Sequence, residues 1–156
     1  MVEIPSLQKD QTDQLIKKVI GLAMKIHREL GMGFLESVYA NALSFELSKA
    51  GLTFEREKRI PVYYEDHIVG DFIADLIVEG IFILELKAVE ALTTAHSVQL
   101  VNYLSATRLD TGLLVNFGAR SLQFKTKTRE YNKVSTSRNG QPPIPLIPSR
   151  NSVNSV

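Results

Sequence analysis

The sequence predicts a mixed α/β (α+β) domain, with a helical hairpin at the N-terminus followed by a mixed sheet that carries helices on its flanks. Three changes of texture predict it. Apolar residues recur at helical spacing from Leu15 to Leu47, β-branched and aromatic residues dominate from Ile60 to Lys87, and helical spacing returns from Leu92 to Thr107 ahead of a last apolar run. The order is helix, helix, three strands, helix, then one or two strands.

Each element has its own signals. Leu15, Val19, Leu22, Ile26 and Leu30 share one face of a first helix, which Asp10, Thr12 or Asp13 could cap. The run "GMGF" interrupts it, and a second helix follows through Leu35, Val38, Ala42, Phe45 and Leu47, with Gly51 where a left-handed C-terminal cap is wanted. "IPVYYED", "HIVGDFIADLIV" and "IFILELK" read as a meander of strands with turns at Glu65-Asp66 and Glu79-Gly80. After the third helix, "TGLLVNFG" reads as a buried strand and "SLQFKTKT" as an exposed edge strand. Residues 134–156 are rich in Ser, Asn and Pro and are expected to be a disordered tail. The expected division is an extension over 1–11, a single domain over 12–133 and the tail.

Composition narrows the chemistry. At 156 residues and 44% hydrophobic content the chain can build one core. It has no cysteine, which removes disulfides, thiol nucleophiles and Cys-based zinc sites, and no second His stands at zinc-ligand spacing from another. No apolar stretch approaches the roughly 18 residues that span a bilayer, and the N-terminus has no basic-then-apolar leader, so a cytoplasmic location away from membranes is expected. The net charge of +1 hides a gradient: residues 1–105 carry 10 Lys or Arg against 15 Asp or Glu, and residues 106–156 carry 8 against 2. A basic last third fits a polyanionic partner or a solvated tail.

The stretch "DLIVEGIFILELK", residues 75–87, places two acids and a lysine in strands otherwise apolar enough to be buried. Unpaired charges there are costly or change their protonation. If the turn around Gly80 has three residues, Val78 faces Phe82, Asp75 falls opposite Glu85, and Lys87 shares their face. The other face, Ala74, Leu76, Val78, Phe82, Leu84 and Leu86, is expected to pack on helices. Opposed carboxylates repel unless a proton or cation lies between them, and two hard oxygen ligands suit Mg²⁺ or Mn²⁺. An ammonium beside such an ion would stabilise charge growing on a phosphoryl group. The residues alone leave a second reading open, in which a two-residue turn sets Ala74 opposite Glu85 and Lys87 is half of a structural ion pair.

Two helices add polar groups. His96, Gln99 and Tyr103 are spaced i, i+3, i+7 and form one stripe, with His96 expected in solvent. "GFLESVY" sets Glu36 and Tyr39 a turn apart, where Glu36 is favoured by the helix dipole and Tyr39 is expected in the core. No Gly-rich loop leads into a helix with a following Lys, so nucleotide handling has no support.

Together these runs resemble a known family. "GFLESVY" fits G-x-x-E-x-x-Y, and "ADLIVEGIFILELKAVEAL", "AHSVQLVNYLSAT" and "GLLVNFG" follow in the order and spacing of the GxxExxY proteins, a mostly bacterial family placed in the PD-(D/E)XK nuclease superfamily. The likeness runs from about Leu15 to Lys127. It implies a restriction-endonuclease-like αβββαβ core and a Mg²⁺- or Mn²⁺-dependent nuclease that hydrolyses nucleic acid, DNA foremost, with a water that the metal has acidified. The implied metal ligands are Asp75, Glu85 and the backbone carbonyl of Leu86, with Lys87 as the lysine of E-x-K. Glu36 would complete the metal shell or hold a second ion, and Gln99 and Tyr103 match a supporting Q-x-x-x-Y motif. Lys125, Lys127 and Arg129 are the expected contacts to the nucleic-acid backbone. Ile73 departs from the resemblance, since relatives often carry a basic residue there. The rival expectation is the same fold used only to bind nucleic acid or protein. For so short a chain, a homodimer or a protein partner is the expected route to recognition.

Overall fold

The computed structural model describes residues 5–129, so the expected tail lies outside the described residues. In chain order the elements are α1 (Pro5–Leu30), α2 (Glu36–Lys49), β1 (Phe54–Tyr64), β2 (His67–Val78), β3 (Phe82–Lys87), α3 (Thr94–Thr107), β4 (Thr111–Asn116) and β5 (Gln123–Thr128). This is the mixed α+β sheet with flanking helices that the sequence predicts.

Helix α1 starts earlier than the expected caps at Asp10, Thr12 and Asp13, which all lie inside it. Proline is tolerated at the first helical position because its missing N–H has no partner there anyway, so Pro5 can open the helix. Ile16, Val19, Ala23 and Ile26 form its buried stripe. Gly31, at φ +70°, ends it, and its N–H donates to His27 O at 2.8 Å. Helix α2 stops as expected, with Gly51 at φ +73° and Leu52 N–H donating to Leu47 O at 3.0 Å. Lys25 Nζ and Glu46 Oε1, 3.0 Å apart, tie the two helices together.

The sheet order is β1-β2-β3-β4-β5, antiparallel throughout except for the parallel pair β3 and β4. Strand β3 is central and buried from Phe82 to Leu86. Strand β1 begins at Phe54, six residues before the expected Ile60, because the charged run "EREKR" pairs with the inner half of β2 despite its polarity. Helices α1 and α2 cover one face through Tyr39, Leu43, Leu47, Leu76, Val78, Phe82, Leu84 and Leu86. Helix α3 covers the other, where Leu100 and Leu104 pack on Ile60, Ala74, Ile77, Ile83 and Leu114.

That division corrects one expectation. Ala74 lies in the α3 cluster while Leu76, two residues on, lies in the α1–α2 cluster. Residues two apart in a regular strand share a face, so β2 turns about its own axis between them. The β1–β2 ladder skips the Glu57/Asp75 position, and Glu57 takes φ +48°, a left-handed conformation that costs a non-glycine residue of order 1 kcal/mol. Asp75 therefore points neither up nor down but sideways, toward β3.

Two glycines permit close approach. A Cβ on Gly112 would meet Leu100 Cδ1 at 2.7 Å, and one on Gly118 would meet the backbone N and O of Val89 at 2.4 Å. A leucine side chain can yield, but backbone cannot without moving the segment that carries it. Gly118→Ala is expected to destabilise the protein by roughly 2–3 kcal/mol and Gly112→Ala by about 1 kcal/mol, read from urea midpoints at constant m-value. Equal costs would show that the Val89 segment gives way freely.

Candidate active site

The turn around Gly80 has the three-residue form: Val78 faces Phe82, Ile77 faces Ile83 and Leu76 faces Leu84. There the β2–β3 ladder stops. At the next position side chains take over from backbone, for Leu86 N–H donates to Asp75 Oδ2 at 2.8 Å and Asp75 N–H donates to Glu85 Oε1 at 3.3 Å. Each carboxylate caps a strand N–H that has lost its ladder partner, so the strands splay and the two acids fill the gap. The alternative register, with Ala74 opposite Glu85, does not occur.

Electrostatics follow from burial. Glu85 is 6% exposed, and removal from water, reinforced by the Asp75 charge, pushes its carboxyl up to about 8. Burial also raises Asp75, against the opposing pull of the Leu86 N–H and the Lys87 charge. Lys87, at the end of β3, adds positive potential at Glu36, Asp75 and Glu85 alike. Among the described residues it forms no ion pair within 4.0 Å, so a structural salt bridge at the rim is not what it makes.

Helix α2 brings up Glu36 at its first residue. Desolvation raises its carboxyl, and the Asp75 charge adds to the effect. Glu36 feels the charges of both Asp75 and Lys87, although no three Asp, Glu or His side chains among the described residues close into a ligand cluster. Tyr39 explains why Glu36 is where it is. Fully buried, it stacks on Phe117 with ring centroids 4.5 Å apart, donates its hydroxyl to Gly31 O at 2.7 Å and accepts from Phe34 N–H at 3.2 Å. The tyrosine is core, as expected, and also pins the α1–α2 connection.

Helix α3 closes the other side. Tyr103 stacks on Phe72 of β2, with centroids 3.7 Å apart and planes 2° from parallel, and its hydroxyl pKa is raised by burial and by the charges of Glu85 and Asp75. Gln99, one turn earlier, is exposed and has no hydrogen bond among the described residues. His96 is half-buried at the start of the helix, where its Nδ1 accepts the Thr93 N–H at 3.1 Å in an exposed cap. Lys125 and Lys127 lie on edge strand β5 opposite Leu114 and Gly112. Arg129 is bonded to Asp110 through both its backbone, at 2.8 Å, and its guanidinium, at 3.1 Å.

Several contributors escaped the sequence reading. Glu57 adds negative charge at Asp75, Phe72 is the platform for Tyr103, and Asn116 and Gln123 hold the segment after Lys87. An asparagine inside the apolar run "LLVNF" was the one available signal.

The fold and this two-strand acid pair define a nuclease-like class. A family model of the PD-(D/E)XK nuclease superfamily matches residues 13–129, and the chain belongs to that superfamily. Its sheet and helices fit the restriction-endonuclease-like fold. No curated protein and no solved structure matches. Among the described residues no helix is long and apolar enough to cross a membrane.

A pH dependence follows for the protein free of divalent cation. An acid whose pKa rises on folding stabilises the folded state fully below its unfolded value and loses that contribution as pH climbs through the folded one. For Glu85 the window runs from 4.5 to about 8. In EDTA, Glu85→Gln should therefore gain on wild type in urea midpoint between about pH 5 and about pH 8. A gap constant across that range would show that Glu85 ionises normally.

Proposed function

We propose that this chain is a divalent-metal-dependent nuclease of the GxxExxY type that hydrolyses phosphodiester bonds, with DNA as the first substrate class to test. The observation that carries the reading is the gap between β2 and β3. Asp75 and Glu85 enter it side by side, each using one oxygen on a backbone N–H, beside a Lys87 that makes no ion pair among the described residues. Structural acids of this kind would cost stability, as their raised pKa values show, whereas a divalent cation would offset that cost.

The donor set fits a hard cation. Asp75 and Glu85 would hold it, and the Leu86 carbonyl, on the same side of β3 as the N–H that reaches Asp75, is aimed at the same gap. Two carboxylates and a carbonyl leave room for water and phosphate, as Mg²⁺ or Mn²⁺ prefers. When bound, the ion supplies Lewis acidity, making an attacking water more acidic and offsetting charge on a phosphoryl oxygen. Lys87 stabilises negative charge on the pentavalent phosphorus, and its place on a central strand fixes its backbone before substrate arrives. Glu36, raised by burial and by Asp75, is the group best placed to exchange a proton with the attacking or leaving oxygen, and Tyr103 and Gln99 border the substrate. Lys125 and Lys127 lie on β5, two strands or about 10 Å from β3, where they can meet a phosphate backbone. Arg129 is committed to Asp110 and has the smaller share.

Purified protein with single-stranded, duplex and branched DNA and RNA, in Mg²⁺, Mn²⁺ or EDTA, tests the reading. Metal-dependent cleavage is expected, and Lys87→Ala should lower kcat by roughly 10²–10³ while still binding Mn²⁺. Cleavage indifferent to EDTA, or full activity in Lys87→Ala, would overturn it. Mn²⁺ binding without cleavage of any substrate would favour a fold used only for binding. Replacing Lys125 and Lys127 with Gln should weaken binding and lower the slope of log affinity against log salt by about two. An unchanged slope would remove β5 from the interface.

A further inference from the structure

The connection from β3 to α3, residues 88–93, joins the strand that ends in Lys87 to the helix that carries Gln99 and Tyr103, and it has no secondary structure of its own. Yet three of its backbone groups, and the carbonyl just before it, are clamped. Lys87 O accepts from Phe117 N–H at 2.8 Å, Val89 N–H donates to Asn116 Oδ1 at 3.0 Å, Val89 O accepts from Asn116 Nδ2 at 2.9 Å, and Leu92 N–H donates to Gln123 Oε1 at 3.1 Å. Asn116 Nδ2 also donates to Gln123 Oε1 at 3.0 Å, and Gly118 N–H donates to Asn116 Oδ1 at 3.0 Å. With two bonds accepted and two donated, the fully buried Asn116 amide is saturated, and only one orientation of it satisfies these partners.

A buried asparagine that only satisfied itself could sit against any loop. This one reads both the N–H and the C=O of a single residue, two positions beyond the catalytic lysine, and the missing Cβ of Gly118 lets the backbones approach within a distance that no side chain allows. The metal acids are fixed by other means, through the gap hydrogen bonds and the β3–β4 ladder. Lys87 itself is the last rung of the β3–β4 ladder, and what the clamp adds is the path of the chain immediately after it, against which the Lys87 side chain extends.

We propose that Asn116, with Gln123 behind it, is a positioning residue for the Lys87 ammonium: the amide pair fixes the β3–α3 connection so that Lys87 and the Gln99–Tyr103 face meet the same phosphate. The role in turnover rests on the nuclease reading; the placement of Lys87 does not. A misplacement of about 1 Å in a catalytic group can cost 10²-fold in rate without touching substrate or metal binding.

The test reads Lys87 directly and also through turnover. In protein carrying ¹³C-methyl groups on its lysines, the Lys87 NMR signal is identified by its loss in Lys87→Arg. Asn116→Asp removes both donors, Gln123→Met removes the shared acceptor, and Gln123→Glu keeps it. The first two are expected to move the Lys87 signal and to lower kcat by about 10- to 100-fold, with KM and Mn²⁺ affinity within about twofold of wild type, while Gln123→Glu stays close to wild type. If Asn116→Asp does not fold, Gln123→Met at the more open end of the network decides. An unmoved Lys87 signal in the folded variants overturns the proposal, as does a fall in kcat matched by an equal fall in Mn²⁺ affinity. A wild type that cleaves nothing overturns the nuclease reading instead, and the Lys87 signal still decides the positioning.

Discussion

The site depends on a place where a β-ladder is replaced by side chains. Beyond Leu76 and Leu84, the backbone groups of β2 and β3 no longer meet, and the Asp75 and Glu85 carboxylates receive the N–H groups that the ladder would have satisfied. Buried N–H groups need partners, so the gap and the acids require each other. Remove the acids and the strands have no reason to stay apart; close the strands and the acids have nowhere to go. The strained Glu57 and the half-turn of β2 at Asp75 are the backbone side of the same arrangement, stored where function can use it.

The two helical layers have separate tasks around that gap. On one face, the Tyr39–Phe117 stack and the Tyr39 hydroxyl lock the turn that delivers Glu36 at the head of α2. On the other, Tyr103 lies flat on Phe72, so α3 is registered against β2 by an aromatic contact just outside the acid pair. Each helix thus brings one ionisable group to the rim while its apolar residues supply the packing. The central strand between them is buried on both faces, so the Glu85 carboxylate cannot relax far toward water, and burial leads the causes that raise both acids.

Much of this was legible in the sequence. Period-two alternation through Gly80 narrowed the partner of Glu85 to Asp75 or Ala74, and the three-residue turn in the structure chose Asp75, because register in an antiparallel hairpin follows from loop length. Helical spacing found both flanking layers, and Gly51 marked the end of α2. The misses have physical causes. The start of β1 was hidden because a strand beside the splayed part of a sheet needs few apolar residues, and the start of α1 because local capping residues are no bar to a helix that tertiary contacts extend. The cap made by His96 was missed because capping by an imidazole leaves no spacing signature.

By itself, the amino-acid sequence determined the order of elements, the two candidate registers of the acidic hairpin and the family resemblance, all of which rest on periodicity and on residue types a few positions apart. Tertiary structure alone decided the direction in which Asp75 points, the platform beneath Tyr103 and the amide clamp after Lys87. These depend on strand twist and on contacts between residues far apart in the chain, such as Asn116 and Val89, and no local pattern encodes where such partners meet.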